Sequence, residues 1–182
     1  MESTPSVVLL HGMFGKAGNW KSCADQLSPE WEVFTPELPV FDVPPHQPVV
    51  DGLVSHVGRL LDEWRIRKAV LGGNSLGGHV ALQFSLRHPE RIAGLVLTGS
   101  SGLFERGFDR SVPHRPTHDW LREKMREVFH DEKFITKDLL EEVGGTVRDR
   151  RRVLQLLRVA KSAKRDNLRE ILPNITCPVL SL

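Results

Sequence analysis

The sequence predicts an α/β fold: a mostly parallel sheet with helices on both faces, interrupted by a helical insertion. Over residues 6–98, short valine-rich apolar runs alternate with segments of helical spacing, as in parallel sheets. After residue 103 this alternation stops, and helical patterns continue until a last apolar run at 177–182. We therefore predict a core at 1–103, a helical segment at 104–172 and a return to the core at 173–182.

The predicted strands are short apolar runs bounded by glycine, proline or polar residues, which is typical of buried parallel strands. The final run, "CPVLSL", has the same composition and is predicted as the fifth strand. The other four are predicted at Ser6–Leu10, Trp31–Thr35, Lys68–Leu71 and Ile92–Thr98.

Helices are predicted where apolar residues recur at intervals of three and four, or where a proline ends such a segment. In the core, this pattern predicts helices at Trp20–Leu27, Val50–Trp64 and His79–Arg87. In the insertion it predicts helices at Asp119–His130, Lys137–Val143, Thr146–Ala163 and Asp166–Leu172.

Composition restricts the classes of partner. The formal net charge is +2, too close to balance to suggest a nucleic-acid-binding protein.

Residues 1–6 carry no signal-peptide pattern and no long apolar span occurs, so we expect a cytoplasmic protein without a membrane segment. Cys23 and Cys177 have no metal-ligand spacing; we expect free thiols and no metal, with a single disulfide as the alternative.

Residues 146–169 are strongly basic, with nine Arg or Lys side chains against Asp149 and Asp166. We interpret this stretch as the solvated face of a helix, and the alternative is a patch that binds an anion or a partner.

The sequence Gly73-Asn74-Ser75-Leu76-Gly77 matches the G-x-S-x-G pattern of a serine nucleophile. A strand that bends sharply into a helix exposes the serine at the bend, and its neighbours two positions away must be small. The helix start adds a positive dipole, and the Leu76 N–H points toward the reacting oxygen. The alternative is an ordinary glycine-rich turn in which Ser75 caps the helix.

The segment "LLHGMFGKAGNW" after the first strand is predicted to supply the second donor of an oxyanion hole. Met13 is the first choice for this backbone donor and Phe14 the second, and both side chains would line the acyl pocket. A phosphate-binding loop is the alternative, but neither GxxxxGK[ST] nor GxGxxG is present.

Together these motifs, with "PELP", "RHPERIAGLVLTGS" and "ITCPVLSL", resemble the α/β-hydrolase superfamily over nearly the whole chain, closest to its small esterase and carbon–carbon hydrolase branch. The resemblance implies that Ser75 is the nucleophile, that Met13 and Leu76 form the oxyanion hole, and that residues 104–172 are a lid. It implies no cofactor. A serine at position 75 disfavours haloalkane dehalogenases and epoxide hydrolases, which use a carboxylate nucleophile.

The resemblance also implies a triad acid and histidine after strands that would follow "CPVLSL". We therefore expect this chain to be a truncated or partial form with low or no activity alone, completed by a C-terminal segment or a second copy at an unpaired sheet edge. Few residues within the chain are candidates to replace the triad acid and histidine. His11 is expected to brace its loop and His79 to pack against a strand; Glu105 or Asp109 are candidate acids, and His114 or His118 could touch substrate.

These observations predict a serine hydrolase that acts on an ester or related carbonyl substrate through an acyl-enzyme on Ser75. The expected partner is a small-molecule substrate. A carbon–carbon bond hydrolase and a non-catalytic binding module are the alternatives. The residues predicted to contact substrate are Phe14, Leu103, Phe104 and Trp120.

Overall fold

The computed structural model describes residues 5–103, 117–127 and 129–182. The chain divides into two compact units, Met1–Glu105 with Lys161–Leu182, and Arg106–Ala160. Residues 161–172, which the sequence assigned to the lid, are therefore counted with the first unit. The role of the second unit as a lid stays a prediction.

The first unit contains a five-stranded sheet in which every strand pairing is parallel, as predicted. The strand order is β2-β1-β3-β4-β5. Strands β1 and β3 are therefore neighbours, with β2 on the outer side of β1 and with β4 and then β5 on the outer side of β3. The strands are β1 (Ser6–Leu10), β2 (Val33–Phe34), β3 (Ala69–Asn74), β4 (Ile92–Thr98) and β5 (Val179–Ser181).

Strand β1 shows why its sequence is apolar throughout. All five of its residues are buried, and successive side chains of a strand point to opposite faces. Both faces of the sheet are therefore covered at β1. The register pairs Leu10 with Gly73, and Asn74 with Thr98, so the carboxyl ends of β1, β3 and β4 lie side by side.

Three complete helices belong to the first unit. Helix α2 buries Leu53, Val57 and Leu61, a row with a spacing of four, and it packs on α3. Helix α3 is buried over its first ten residues and packs on β1, β3 and β4. The three helices are α1 (Lys21–Leu27), α2 (Val49–Glu63) and α3 (Leu76–Arg87).

The second unit contains α4 (His118–Arg126), α5 (Lys137–Arg148) and most of α6 (Arg150–Arg165). Threonine caps the first two: the Thr117 hydroxyl accepts from Trp120 N, and the Thr136 hydroxyl from Leu139 N, each at 3.2 Å. A Cβ atom on Gly144 would lie 3.2 Å from Leu121 Cδ1, so α4 and α5 are in close contact.

The predicted helix at Asp166–Leu172 is wrong. Residues 166–171 are irregular and turn-like, and a short 3-10 helix follows at Leu172–Asn174. Asn167 Oδ1 accepts from Arg169 N at 2.9 Å, a local bond that competes with helix formation.

Several predicted boundaries are also corrected. Strand β3 continues to Asn74, and α3 starts at Leu76 rather than His79. The predicted helix at Thr146–Ala163 is divided, because α5 ends at Arg148 and α6 begins at Arg150. Among the described residues, no helix is both long and apolar enough to span a bilayer.

Candidate active site

Ser75 lies at the bend between β3 and α3, as predicted. Its backbone has φ 51° and ψ −115°, a positive-φ conformation that residues other than glycine rarely adopt. Since α3 begins at the next residue, the positive end of its dipole lies at this bend. The strand–turn–helix geometry is confirmed, and the role of Ser75 as a nucleophile stays a prediction.

Backbone hydrogen bonds from three directions hold Ser75 in this conformation. Ser75 N donates to Thr98 O at 3.1 Å, which ties the bend to the end of β4. Ser75 O accepts from His79 N and from Ser101 N, each at 3.1 Å. The side chain of Ser75 is partly exposed, and within the described residues its hydroxyl forms no hydrogen bond. The hydroxyl is therefore accessible while its backbone is fixed.

The glycines on either side of Ser75 are explained by close packing. A Cβ atom on Gly73 would overlap the carbonyl group of Gly77. A Cβ atom on Gly77 would overlap the carbonyl of Leu10 and lie 2.7 Å from His11 O. The spacing in G-x-S-x-G thus allows β3, α3 and the end of β1 to meet at one point.

The loop after β1 lies beside Ser75. A Cβ atom on Gly12 would be 3.3 Å from Ser75 Cβ, and Met13 and Phe14 follow in a partly exposed turn. In the described part of the chain, the amides of Met13, Phe14 and Leu76 donate to no protein acceptor. The role of these N–H groups as oxyanion donors stays a prediction.

A buried histidine braces this loop. Leu38 N donates to His11 Nε2 at 2.9 Å, so the ring proton is on Nδ1, which donates to Gly12 O at 2.8 Å. Glu37 holds the loop at a second point, because its Oε1 accepts from Ala17 N at 2.8 Å. Sequence reasoning gave Glu37 no role, although its place in "PELP" was a possible signal.

The remaining predicted site residues lie on separate elements or outside the described residues. Leu103 is exposed in the loop after β4, and Trp120 is partly buried on α4 of the second unit. Phe104, His114, Glu105 and Asp109 lie outside the described residues.

No described histidine hydrogen-bonds to the Ser75 hydroxyl. His79 is fully buried, and its Nε2 lies 3.4 Å from Asp166 Oδ2. Across the ranges that the structure describes, no group of three His, Cys, Asp or Glu side chains is placed to hold a metal ion.

Comparison with known proteins agrees with this geometry. The family model described as alpha/beta hydrolase fold matches residues 5–157. A 2-hydroxy-6-oxo-2,4-heptadienoate hydrolase of Pseudomonas putida is 31% identical over 145 residues, covering 74% of this chain and 52% of that protein. A 2-hydroxymuconate semialdehyde hydrolase of a Pseudomonas species is 31% identical over 132 residues, covering 69% and 46%.

A solved structure is also similar. It is an alpha/beta hydrolase enzyme from the metagenome of sediments of the Mar Chica lagoon, Morocco, with a TM-score of 0.73 and 27% identity. The match covers 98% of this chain and 68% of that one. The chain spans about half the length of the two Pseudomonas relatives it matches.

Proposed function

This chain belongs to the alpha/beta hydrolase fold family, and on that basis we propose that it is a serine hydrolase for an ester or related carbonyl substrate. The observation that carries the proposal is the backbone of Ser75, held at positive φ between β3 and α3 with a partly exposed side chain. An L-residue in this conformation costs about 1–3 kcal/mol, and such strain is concentrated at functional sites.

The proposed reaction begins with attack of Ser75 Oγ on the carbonyl carbon of the substrate. A carbon–oxygen bond forms, and the carbonyl π electrons move to oxygen as an oxyanion. When the oxyanion collapses, the bond to the leaving group breaks, and the leaving group takes the proton that the serine hydroxyl lost. Water then hydrolyses the acyl-enzyme, releasing the acid and restoring the serine.

The backbone amides of Met13 and Leu76 are proposed to stabilise the oxyanion. Two features support this assignment: both N–H groups have no protein acceptor among the described residues, and the loop of Met13 starts beside Ser75 at Gly12. Loss of one such donor typically costs about 10²–10³ in rate. The partly exposed Phe14 is proposed as the alternative donor and as part of the substrate contact. On the sequence alone, Leu103, Phe104 and Trp120 are proposed as further contacts.

A carbon–carbon bond hydrolase is the second candidate. The observation that favours it is the set of relatives named as hydrolases of 2-hydroxy-6-oxo-dienoates. Nucleophilic addition to a carbonyl serves both reactions, and they differ in whether the leaving atom is oxygen or carbon.

The test is labelling of the 182-residue chain with a fluorophosphonate, followed by peptide mass spectrometry. We expect one adduct, on Ser75, that Ser75→Ala abolishes. Ser55→Ala is the matched control, because Ser55 is exposed on α2 and its hydroxyl bonds locally to Asp51 O. Adduct formation that persists in Ser75→Ala, or no adduct even when a C-terminal segment with the triad acid and histidine is supplied, would contradict the proposal and favour a binding module.

A substrate screen separates the two candidate reactions. Aryl esters and vinylogous diketones are offered in parallel to the same preparation. Turnover of the esters, lost in Ser75→Ala, supports the esterase. Turnover of the diketones alone supports the carbon–carbon hydrolase.

A further inference from the structure

We propose that Asp166 is a positioning residue for Ser75. Its carboxylate contacts two side chains of α3, and the residues after it hold the loop that follows β4. This inference rests on the proposed function, because it concerns how the nucleophile is held.

The first contact joins Asp166 to the helix that starts at Ser75. His79 and Gln83 are one turn apart on α3 and both are buried. Gln83 Nε2 donates to Asp166 Oδ1 at 2.6 Å, and His79 Nε2 lies 3.4 Å from Asp166 Oδ2. The His79–Asp166 distance is within the range of an ion pair, but the two side chains do not form a hydrogen bond.

The second set of contacts joins the same segment to the loop on the other side of Ser75. Leu168 N donates to Gly102 O at 2.8 Å, and Asn167 Nδ2 donates to Leu103 O at 3.0 Å. Gly102 packs on the His79 ring, since a Cβ atom there would be 2.9 Å from His79 Cδ2. The segment 166–168 therefore holds both the loop and the helix.

These two sets of contacts converge on one atom. The carbonyl oxygen of Ser75 accepts from His79 N and from Ser101 N. His79 lies 3.4 Å from Asp166, which holds Gln83 one turn further along α3, and Ser101 adjoins Gly102, whose carbonyl accepts from Leu168 N. The backbone conformation that presents the Ser75 hydroxyl thus depends on a segment far along the chain. Asp166 itself is partly buried, with 29% of its side chain exposed.

The test uses Asp166→Asn in the full 182-residue chain. This change keeps the size of the side chain but removes its charge and one acceptor oxygen. We expect the second-order rate of fluorophosphonate labelling at Ser75 to fall on the order of tenfold, because small displacements of a reacting group are costly. We also expect the ¹⁵N signals of the His79 ring to shift, whereas a purely structural role of Asp166 elsewhere would leave them unchanged.

Ser162→Ala is the matched control. Ser162 lies in the same part of the chain, but its hydroxyl accepts from Val50 N at the start of α2 and, among the described residues, forms no hydrogen bond to α3. We expect this variant to lose stability while its labelling rate stays within about twofold of the parent.

Two results would overturn the inference: an unchanged labelling rate in Asp166→Asn, or equal slowing in Asp166→Asn and Ser162→Ala. If the parent protein is not labelled even when a C-terminal segment with the triad acid and histidine is supplied, the proposed function fails, and the His79 ring signals still decide the contact. Identical ring spectra in the parent and Asp166→Asn would then disprove it.

Discussion

Gly73 and Gly77 face each other across the bend that carries Ser75, with no room for a side chain between them. We therefore expect Gly73→Ala to destabilise the protein by about 1–3 kcal/mol or more, because the new methyl group would push against backbone that cannot move independently. Urea unfolding followed by circular dichroism measures the change.

Gly58→Ala is the control for this prediction. Gly58 is inside α2, and a Cβ atom there would meet Phe84 Cε2 at an ordinary 3.5 Å. Alanine is the better helix former, so this variant should gain about 0.5–1 kcal/mol. Equal effects of the two substitutions would contradict the steric explanation of the G-x-S-x-G spacing.

Ser75 is predicted to reduce the stability of the fold. Glycine adopts positive φ without steric cost, whereas alanine keeps the Cβ atom that causes the strain. We expect Ser75→Gly to be about 1 kcal/mol more stable than Ser75→Ala by urea unfolding, after allowing for the greater freedom of glycine in the unfolded chain. Both variants lack the hydroxyl and should resist labelling. Equal stability of the two would show that the bend is unstrained.

The parallel sheet and the bend at Ser75 could be predicted because their signals are local. A buried run such as Ser6–Leu10 indicates a strand by its own composition, and the glycines beside Ser75 report a close approach that occurs within a few residues. The helix at Asp166–Leu172 was predicted from equally local spacing, but tertiary contacts to α3 and to the loop after β4 determine that segment.

The residues that support the site could not be found in this way. Glu37 reaches Ala17 across 20 positions, and Asp166 reaches Gln83 across 83. Periodicity shows which face of an element is apolar, but not which distant polar group will contact it. For this reason the contacts that hold the loop after β1 and the contact of Asp166 with α3 could be identified only in the folded structure.

Gly12 is predicted to set the distance between the loop after β1 and Ser75. A Cβ atom there would lie 3.1 Å from Asn74 Oδ1 and 3.3 Å from Ser75 Cβ, so the loop must shift by a few tenths of an ångström. We expect Gly12→Ala to slow fluorophosphonate labelling of Ser75 by roughly tenfold, because the oxyanion donors would move away. Gly18→Ala is the control, since a Cβ atom there meets nothing within 4 Å. Similar labelling rates in both variants would show that the position of this loop does not affect the reaction at Ser75.

His56 on α2 is predicted to make stability depend on pH. Burial lowers the pKa of this imidazole below its usual value, and Arg59 lowers it further. The hydrogen bond to the Glu37 backbone and the charge of Glu63 oppose these effects. The unfolded chain therefore binds a proton at pH values where the folded protein keeps His56 neutral, so stability falls as the pH decreases through about 6.5. Below the pKa of His56 in the folded protein, both states bind the proton, and His56 no longer changes the stability as the pH decreases. Urea midpoints measured between about pH 8 and 5 should decline less steeply in His56→Gln than in the parent. Parallel curves for the two proteins would show that His56 does not contribute to the acid sensitivity.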